Sequence, residues 1–183
     1  MRIAYALVLL GTTIGLVAGC GGSADPAVNV GSQTPSTSAR AVSSTAAATP
    51  AQLNFTAKTV DGRNFSGETL AGKPVVVWFW APWCPTCQRE AAEVAKLARA
   101  NPAVTFVGVA ALDQQPAMHE FVTKYDLGFF TNIADVDGAV WQRFGVTAQP
   151  AFAFVHADGF VNVVRGPIPE SELTTLVDAL TKS

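Results

Sequence analysis

Apolar side chains recur along this chain in two periods, and each period marks one kind of element. Residues 75–80 read Val-Val-Val-Trp-Phe-Trp, an unbroken apolar run of β-branched and aromatic side chains. Such a run predicts a short strand buried on both faces. Residues 104–110 predict a second strand of the same type. Between them, 84–100 predicts a helix with Ala91, Val94, Leu97 and Ala98 on one face. It ends before Asn101-Pro102, because the residue preceding a proline disfavours the α region. A second helix is predicted over 116–125, with Met118, Phe121, Val122 and Tyr125 at helical spacing. Val140, Trp141 and Phe144 mark a short amphipathic turn. Residues 151–155 and 160–164 predict two strands joined across Asp158-Gly159, a hairpin signal. The segment 53–65 alternates loosely around Asp61-Gly62 and predicts an N-terminal hairpin. A closing helix is predicted over 169–180, with Pro169 in its first turn and Leu173, Leu176, Val177 and Leu180 inward. This order predicts an α/β sandwich with a mixed sheet, since the crossover strands must be parallel and the hairpin antiparallel.

The first 50 residues follow neither period. One positive charge, Arg2, precedes an apolar stretch from Ile3 to Ala18, followed by small residues. That is the layout of a secretory signal peptide. The sequence Val17-Ala18-Gly19-Cys20 resembles the bacterial lipobox, in which the cysteine is lipidated and the preceding peptide removed. Residues 1–19 are therefore expected to be a lipoprotein signal peptide, with Cys20 as the lipidated first residue of the mature protein. The alternative is an uncleaved anchor, for which the run is slightly short against the roughly 20 apolar residues of a spanning helix. Both readings put the following domain outside the cytoplasm. A diacylated cysteine anchors firmly, because each buried methylene contributes about 0.8 kcal/mol. Residues 21–50 are mostly Gly, Ser, Thr, Ala and Pro. They cannot bury enough apolar surface to offset chain ordering, so 20–50 is expected to be a flexible tether and 51–183 one folded domain.

Composition narrows the functional classes. Charged residues make up 14% of the 183 residues and the formal net charge is −2. The signs are interspersed and no basic stripe occurs, so no nucleic-acid partner is expected. Three cysteines occur: Cys20, Cys84 and Cys87. Cys84 and Cys87 form a Cys-x-x-Cys pair where the first buried strand gives way to the first helix. At a helix N-terminus, unpaired N–H groups and the macrodipole favour negative charge. Thiolate is the attacking species in disulfide exchange. Cys84 is therefore expected to be a partly exposed nucleophile, and Cys87, one turn on and more buried, the resolving thiol. Three other readings of the pair compete. A structural disulfide closing so short a loop constrains the unfolded chain little. A zinc site needs two more ligands, and the two histidines, His119 and His156, lack zinc-like spacing. An inert relic of a redox ancestor is the third.

The stretch Gly72-Lys-Pro-Val-Val-Val-Trp-Phe-Trp-Ala-Pro-Trp-Cys-Pro-Thr-Cys87 resembles the extracytoplasmic TlpA/DsbE branch of the thioredoxin superfamily. With the lipobox, it is most similar to actinobacterial DsbE/DsbF-type lipoproteins. The resemblance covers about residues 53–180, including the N-terminal hairpin, the segment Asp135 to Gly138 and a later Val146-Thr147-Ala148-Gln149-Pro150. It implies a thioredoxin-like fold, a mixed central sheet flanked by helices with an N-terminal β-hairpin. It also implies that Pro150 is a cis-proline facing the redox pair, where it presents no N–H and the adjacent Gln149 backbone can pair with an extended client. Family resemblance further places an acid, here Glu90, near the pair, where a carboxyl could exchange a proton with the buried thiol. The family often carries a helix-kinking proline two residues after this acid; here that position is Ala92. Trp83 is expected to shield the sulfur and offer a client-contact face, and the Pro85-Thr86 dipeptide to tune the potential. Trp80 is expected in the core and His119 on a solvated face.

The expected activity is thiol–disulfide exchange through Cys84-Cys87. It requires no organic cofactor and no metal, because the two electrons reside on the sulfur pair. The expected partners are secreted or cell-envelope proteins with thiols or disulfides, a membrane redox partner that resets the pair, and the membrane itself through the lipid anchor. The expected location is the extracytoplasmic face of the cell membrane. The actinobacterial resemblance implies an oxidase. A reductase serving cytochrome c maturation and a non-catalytic thioredoxin-like binding module remain the alternatives.

Overall fold

A computed structural model describes residues 49–182. The expected signal peptide, Cys20 and all but the last two residues of the expected tether lie outside the described residues. A 3-10 turn, Ala51–Leu53, opens the described chain and buries Leu53 completely. The strands β1 (Thr56–Thr59) and β2 (Asn64–Ser66) then form the N-terminal hairpin. Its turn uses Gly62 at φ 82°, a left-handed conformation that glycine adopts without steric cost, and Gly62 N–H donates to Thr59 O at 2.8 Å.

The buried core strand β3 is Val75–Trp80, with every residue buried. Its alternation explains the unbroken apolar run. Val76, Trp78 and Trp80 pack with one cluster, while Val75, Val77 and Phe79 pack with another on the opposite face. The first cluster takes in helices α1 (Pro85–Ala100), α2 (Gln115–Lys124) and α4 (Glu170–Ala179). The second is closed by the short α3 (Ala139–Arg143), through Val140 and Trp141, and by Leu53, Leu70 and Phe144. Each large side chain fully buried this way contributes about 1.5–3 kcal/mol.

Seven strands form one sheet in the order β2-β1-β5-β4-β3-β6-β7. Strand β4 is Thr105–Ala110, β6 Ala151–Val155 and β7 Val161–Arg165. Strands β3, β4 and β5 run parallel to their neighbours among themselves, whereas β6 and β7 are antiparallel additions. The fold is thioredoxin-like, with a mixed sheet flanked by helices as expected. One strand escaped the sequence patterns: β5 (Thr131–Ala134), which pairs with β4 and β1 and joins the hairpin to the main sheet. It reads Thr-Asn-Ile-Ala, with one large apolar side chain, so neither period registers it. Its buried Asn132 instead donates its amide to Leu127 O at 2.9 Å and Phe130 O at 3.1 Å. Pro169 stands at the N-cap of α4, one residue outside the helix it was expected to enter. Among the described residues no helix is long and apolar enough to cross a membrane.

The register places the site. Trp80 is opposite Ala110, and Phe79 opposite Ala151. The chain leaving β3, the loop leaving β4 and the residues entering β6 therefore meet at one end of the sheet. On β4, Gly108 is required by crowding. A Cβ there would collide with Asn132 Oδ1 and stand 2.8 Å from Trp80 Nε1. Gly108→Ala is accordingly expected to lower stability by about 1–3 kcal/mol, read as a reduced urea midpoint.

Candidate active site

Cys84 is the N-cap of α1, and Pro85 occupies the first helical turn, where its missing N–H leaves no partner wanting. The backbone of Cys84 is extended, its N–H donates to Ala81 O at 3.1 Å, and its carbonyl accepts from Gln88 N at 3.0 Å. Its sulfur takes the place usually held by a serine or aspartate oxygen. Cys87 N–H donates to Cys84 Sγ at 3.2 Å. A donor is therefore aimed at the sulfur, at the N-terminal end of a helix of 16 residues. Both cysteines are free thiols.

The exposure of Cys84 departs from expectation. It is 4% exposed rather than partly open, and Cys87 is 0% exposed. The cap itself is the reason: to accept the Cys87 N–H, the side chain must fold back over the first turn instead of projecting outward. A narrow window to solvent remains for the first sulfur and none for the second.

Burial pushes the Cys87 thiol up, and its contact with Cys84 Sγ adds to the effect. The backbone at Ala81 acts the other way, while charge on Cys84 or Glu90 raises it further. Glu90 lies three residues beyond Cys87, and both its carboxyl oxygens are buried with no hydrogen-bond partner. Burial raises it from the ordinary 4.5 to about 7. The Trp78 indole N–H opposes this, the charge of Glu93 reinforces it, and Arg89 opposes it. Trp78 Nε1 is near enough to favour the carboxylate but closes no hydrogen bond of normal geometry with it. The helix runs unbroken past Ala92 to Ala100.

Trp83 is 54% exposed beside the buried Cys84, and its indole N–H donates to Leu112 O at 3.0 Å. Leu112, in the loop after β4, is also exposed and sits at φ 61°. A leucine is uncommon in that left-handed region. No sequence pattern marks this conformation, and Leu112 was not among the expected site residues. Trp78 was missed for another reason, since within an apolar run its polar nitrogen is invisible. Pro85 is exposed, while Thr86 is half-buried and its hydroxyl accepts from Arg89 at 3.0 Å. The Gln149-Pro150 peptide is cis, Pro150 is buried, and its carbonyl accepts from Gly166 N at 2.9 Å. Because Ala151 pairs with Phe79, Pro150 comes next to the end of β3, from which the chain runs through Ala81 to Cys84. Trp80 is fully buried and His119 exposed. Among the described residues no three His, Cys, Asp or Glu side chains are grouped to hold a metal ion.

Such a site on such a sheet has known counterparts. The secreted antigen MPT53 of Mycobacterium tuberculosis is 50% identical over 139 residues, spanning 74% of this chain and 80% of its own. The structure of MTB dsbF in mixed oxidised and reduced forms is 62% identical, covering 73% of this chain and 99% of that one, with a TM-score of 0.71. A secreted disulfide oxidoreductase of Mycobacterium tuberculosis homologous to E. coli DsbE is 49% identical, covering 70% and 98%, with a TM-score of 0.67. A thioredoxin-like sheet with a Cys-x-x-Cys pair at the head of α1 and these relatives define a protein thiol–disulfide oxidoreductase. The chain belongs to the Redoxin family, whose model matches residues 30–179.

The raised Glu90 has a consequence for stability. Its folded form binds a proton more tightly than the unfolded chain does, so between 4.5 and about 7 the native state carries the extra proton. Stability is then expected to fall as pH rises through that window and to level off above it. Glu90→Gln should flatten this slope, measured by urea unfolding at a series of pH values.

Proposed function

We propose that the protein is an extracytoplasmic oxidase of protein thiols, held at the membrane by a lipid on Cys20. The observation that carries the reading is the Cys87 N–H donated to Cys84 Sγ at 3.2 Å. It favours a negative Cys84 sulfur in the reduced pair, and stabilising the reduced form makes the corresponding disulfide a stronger oxidant. A client thiolate attacks Cys84 Sγ, the Cys84–Cys87 bond breaks, and its electron pair stays on Cys87 Sγ. That sulfur takes a proton from Glu90, whose position near 7 suits it to proton exchange at neutral pH. A second client thiolate then attacks the client sulfur of the mixed disulfide and releases Cys84. The client loses two electrons and the pair gains them. A membrane redox partner reoxidises the pair.

Around this step, Trp83 covers the sulfur and faces the client. The Gln149 backbone pairs with an extended client segment, and Pro150 keeps an N–H away from the sulfur. Pro85 and Thr86 adjust the potential. The secreted relative supports a location outside the cytoplasm. That relative is described as soluble, so the anchor rests on the Val17-Ala18-Gly19-Cys20 pattern.

Cys87→Ser is expected to accumulate mixed disulfides between Cys84 and client proteins, seen as reducible adducts on gels. An absence of adducts together with no exchange on a model disulfide would favour a binding module. A reduction potential near about −120 mV fits an oxidase, and one near about −270 mV would assign the pair to reduction instead. Cys20→Ala is expected to release the protein from the membrane fraction, and unchanged retention would remove the lipid anchor from the proposal.

A further inference from the structure

Cys87, Glu90, Glu93 and Lys96 stand at intervals of three along α1. Three residues fall short of a full turn, so such a row drifts by about 60° around the axis at each step. Here the drift leads outward: Cys87 is buried, Glu90 and Glu93 are half-buried, and Lys96 is exposed. Both oxygens of Glu90 and Oε1 of Glu93 are buried with no hydrogen-bond partner. At the outer end Lys96 Nζ pairs with Glu170 Oε1 of α4 at 2.8 Å, at the surface. The row thus leads from Cys87 toward solvent past two carboxyls whose buried oxygens close no hydrogen bond.

We propose that Glu93 is a positioning residue for thiol exchange, keeping the proton on Glu90 and resupplying it from solvent. The proposal rests on the reading of Glu90 as the proton partner of Cys87. Two neighbouring, half-buried carboxyls do not ionise independently, and the second proton is held by the charge left by the first. Burial and the charge of Glu170 raise Glu93, while Lys96 lowers it. The charge of Glu93 in turn raises Glu90. The other groups acting on the pair are Arg89 on the same helix, the Trp78 indole from β3, and the Cys87 thiol that Glu90 faces. When the Cys84–Cys87 bond breaks under attack by a client thiolate, the electron pair on Cys87 Sγ takes the Glu90 proton. Glu90, left ionised beside Glu93, regains a proton that enters from water by way of Glu93. The sulfur electrons are balanced by the client, and the net proton comes from solvent.

The test is the pH dependence of the rate at which the oxidised full-length protein exchanges with a model dithiol peptide. The wild-type profile is expected to inflect near the Glu90 value of about 7. Glu93→Gln should move that inflection to lower pH by about one unit, since it removes the neighbouring charge. Glu93→Asp should restore most of the shift, which a merely structural role would not do. Glu93→Ala repeats the measurement without a half-buried amide, should the glutamine variant fold poorly. An inflection unmoved in the Gln and Ala variants would overturn the role of Glu93. Glu90→Gln should abolish the inflection, and a profile unchanged by that substitution would instead overturn the reading of Glu90 itself.

Discussion

A strand buried on both faces has no place for polar chemistry along its length, so that chemistry is pushed to its end. β3 is such a strand, and every one of its residues is buried. Val76, Trp78 and Trp80 commit it to the helices on one side, and Val75, Val77 and Phe79 to the cluster on the other. The chain can turn toward solvent only after Trp80, and the loop that does so delivers Cys84 to the start of α1. The Cys-x-x-Cys pair stands where the fully buried strand ends. Parallel pairing with β4 and antiparallel pairing with β6 bring Leu112 and the Gln149-Pro150 peptide to the same end.

The same core gives the site its unequal sulfurs. Cys84 and Cys87 are one helical turn apart, yet one caps the helix and the other lies inside it. The cap directs a donor at the first sulfur, while burial raises the second and also the carboxyl of Glu90 beside it. Two side chains of identical chemistry thereby acquire different surroundings from position alone. The buried, unpartnered oxygens of Glu90 would ordinarily count against a folded protein, because a polar group removed from water without a partner is costly. They stand three residues from Cys87, and their burial raises the carboxyl to about 7.

Much of this was legible in the chain. The run 75–80, the Cys-x-x-Cys at its end and the two Asp-Gly turns are strong local signals, and the structure has elements at those positions. β5 was illegible because its four residues are mixed in character and are selected by partners on both sides rather than by their own pattern. Leu112 was illegible because a positive φ in a leucine is imposed by the loop around it. The low exposure of Cys84 follows from side-chain direction at a cap, which spacing alone does not specify. Trp78 sits in the core with its ring and its nitrogen both buried, and the apolar run does not reveal that this nitrogen lies near Glu90. Sequence periodicity reports which side of an element faces inward; it does not report which single atom of a large side chain lies next to a carboxyl.

The group that steadies the Cys84 sulfur belongs to the main chain. Any residue other than proline at position 87 supplies the same N–H, so the hydrogen bond to the Cys84 sulfur does not depend on which side chain stands at 87. The cap on the first sulfur and the identity of the second group are therefore separable in this scaffold.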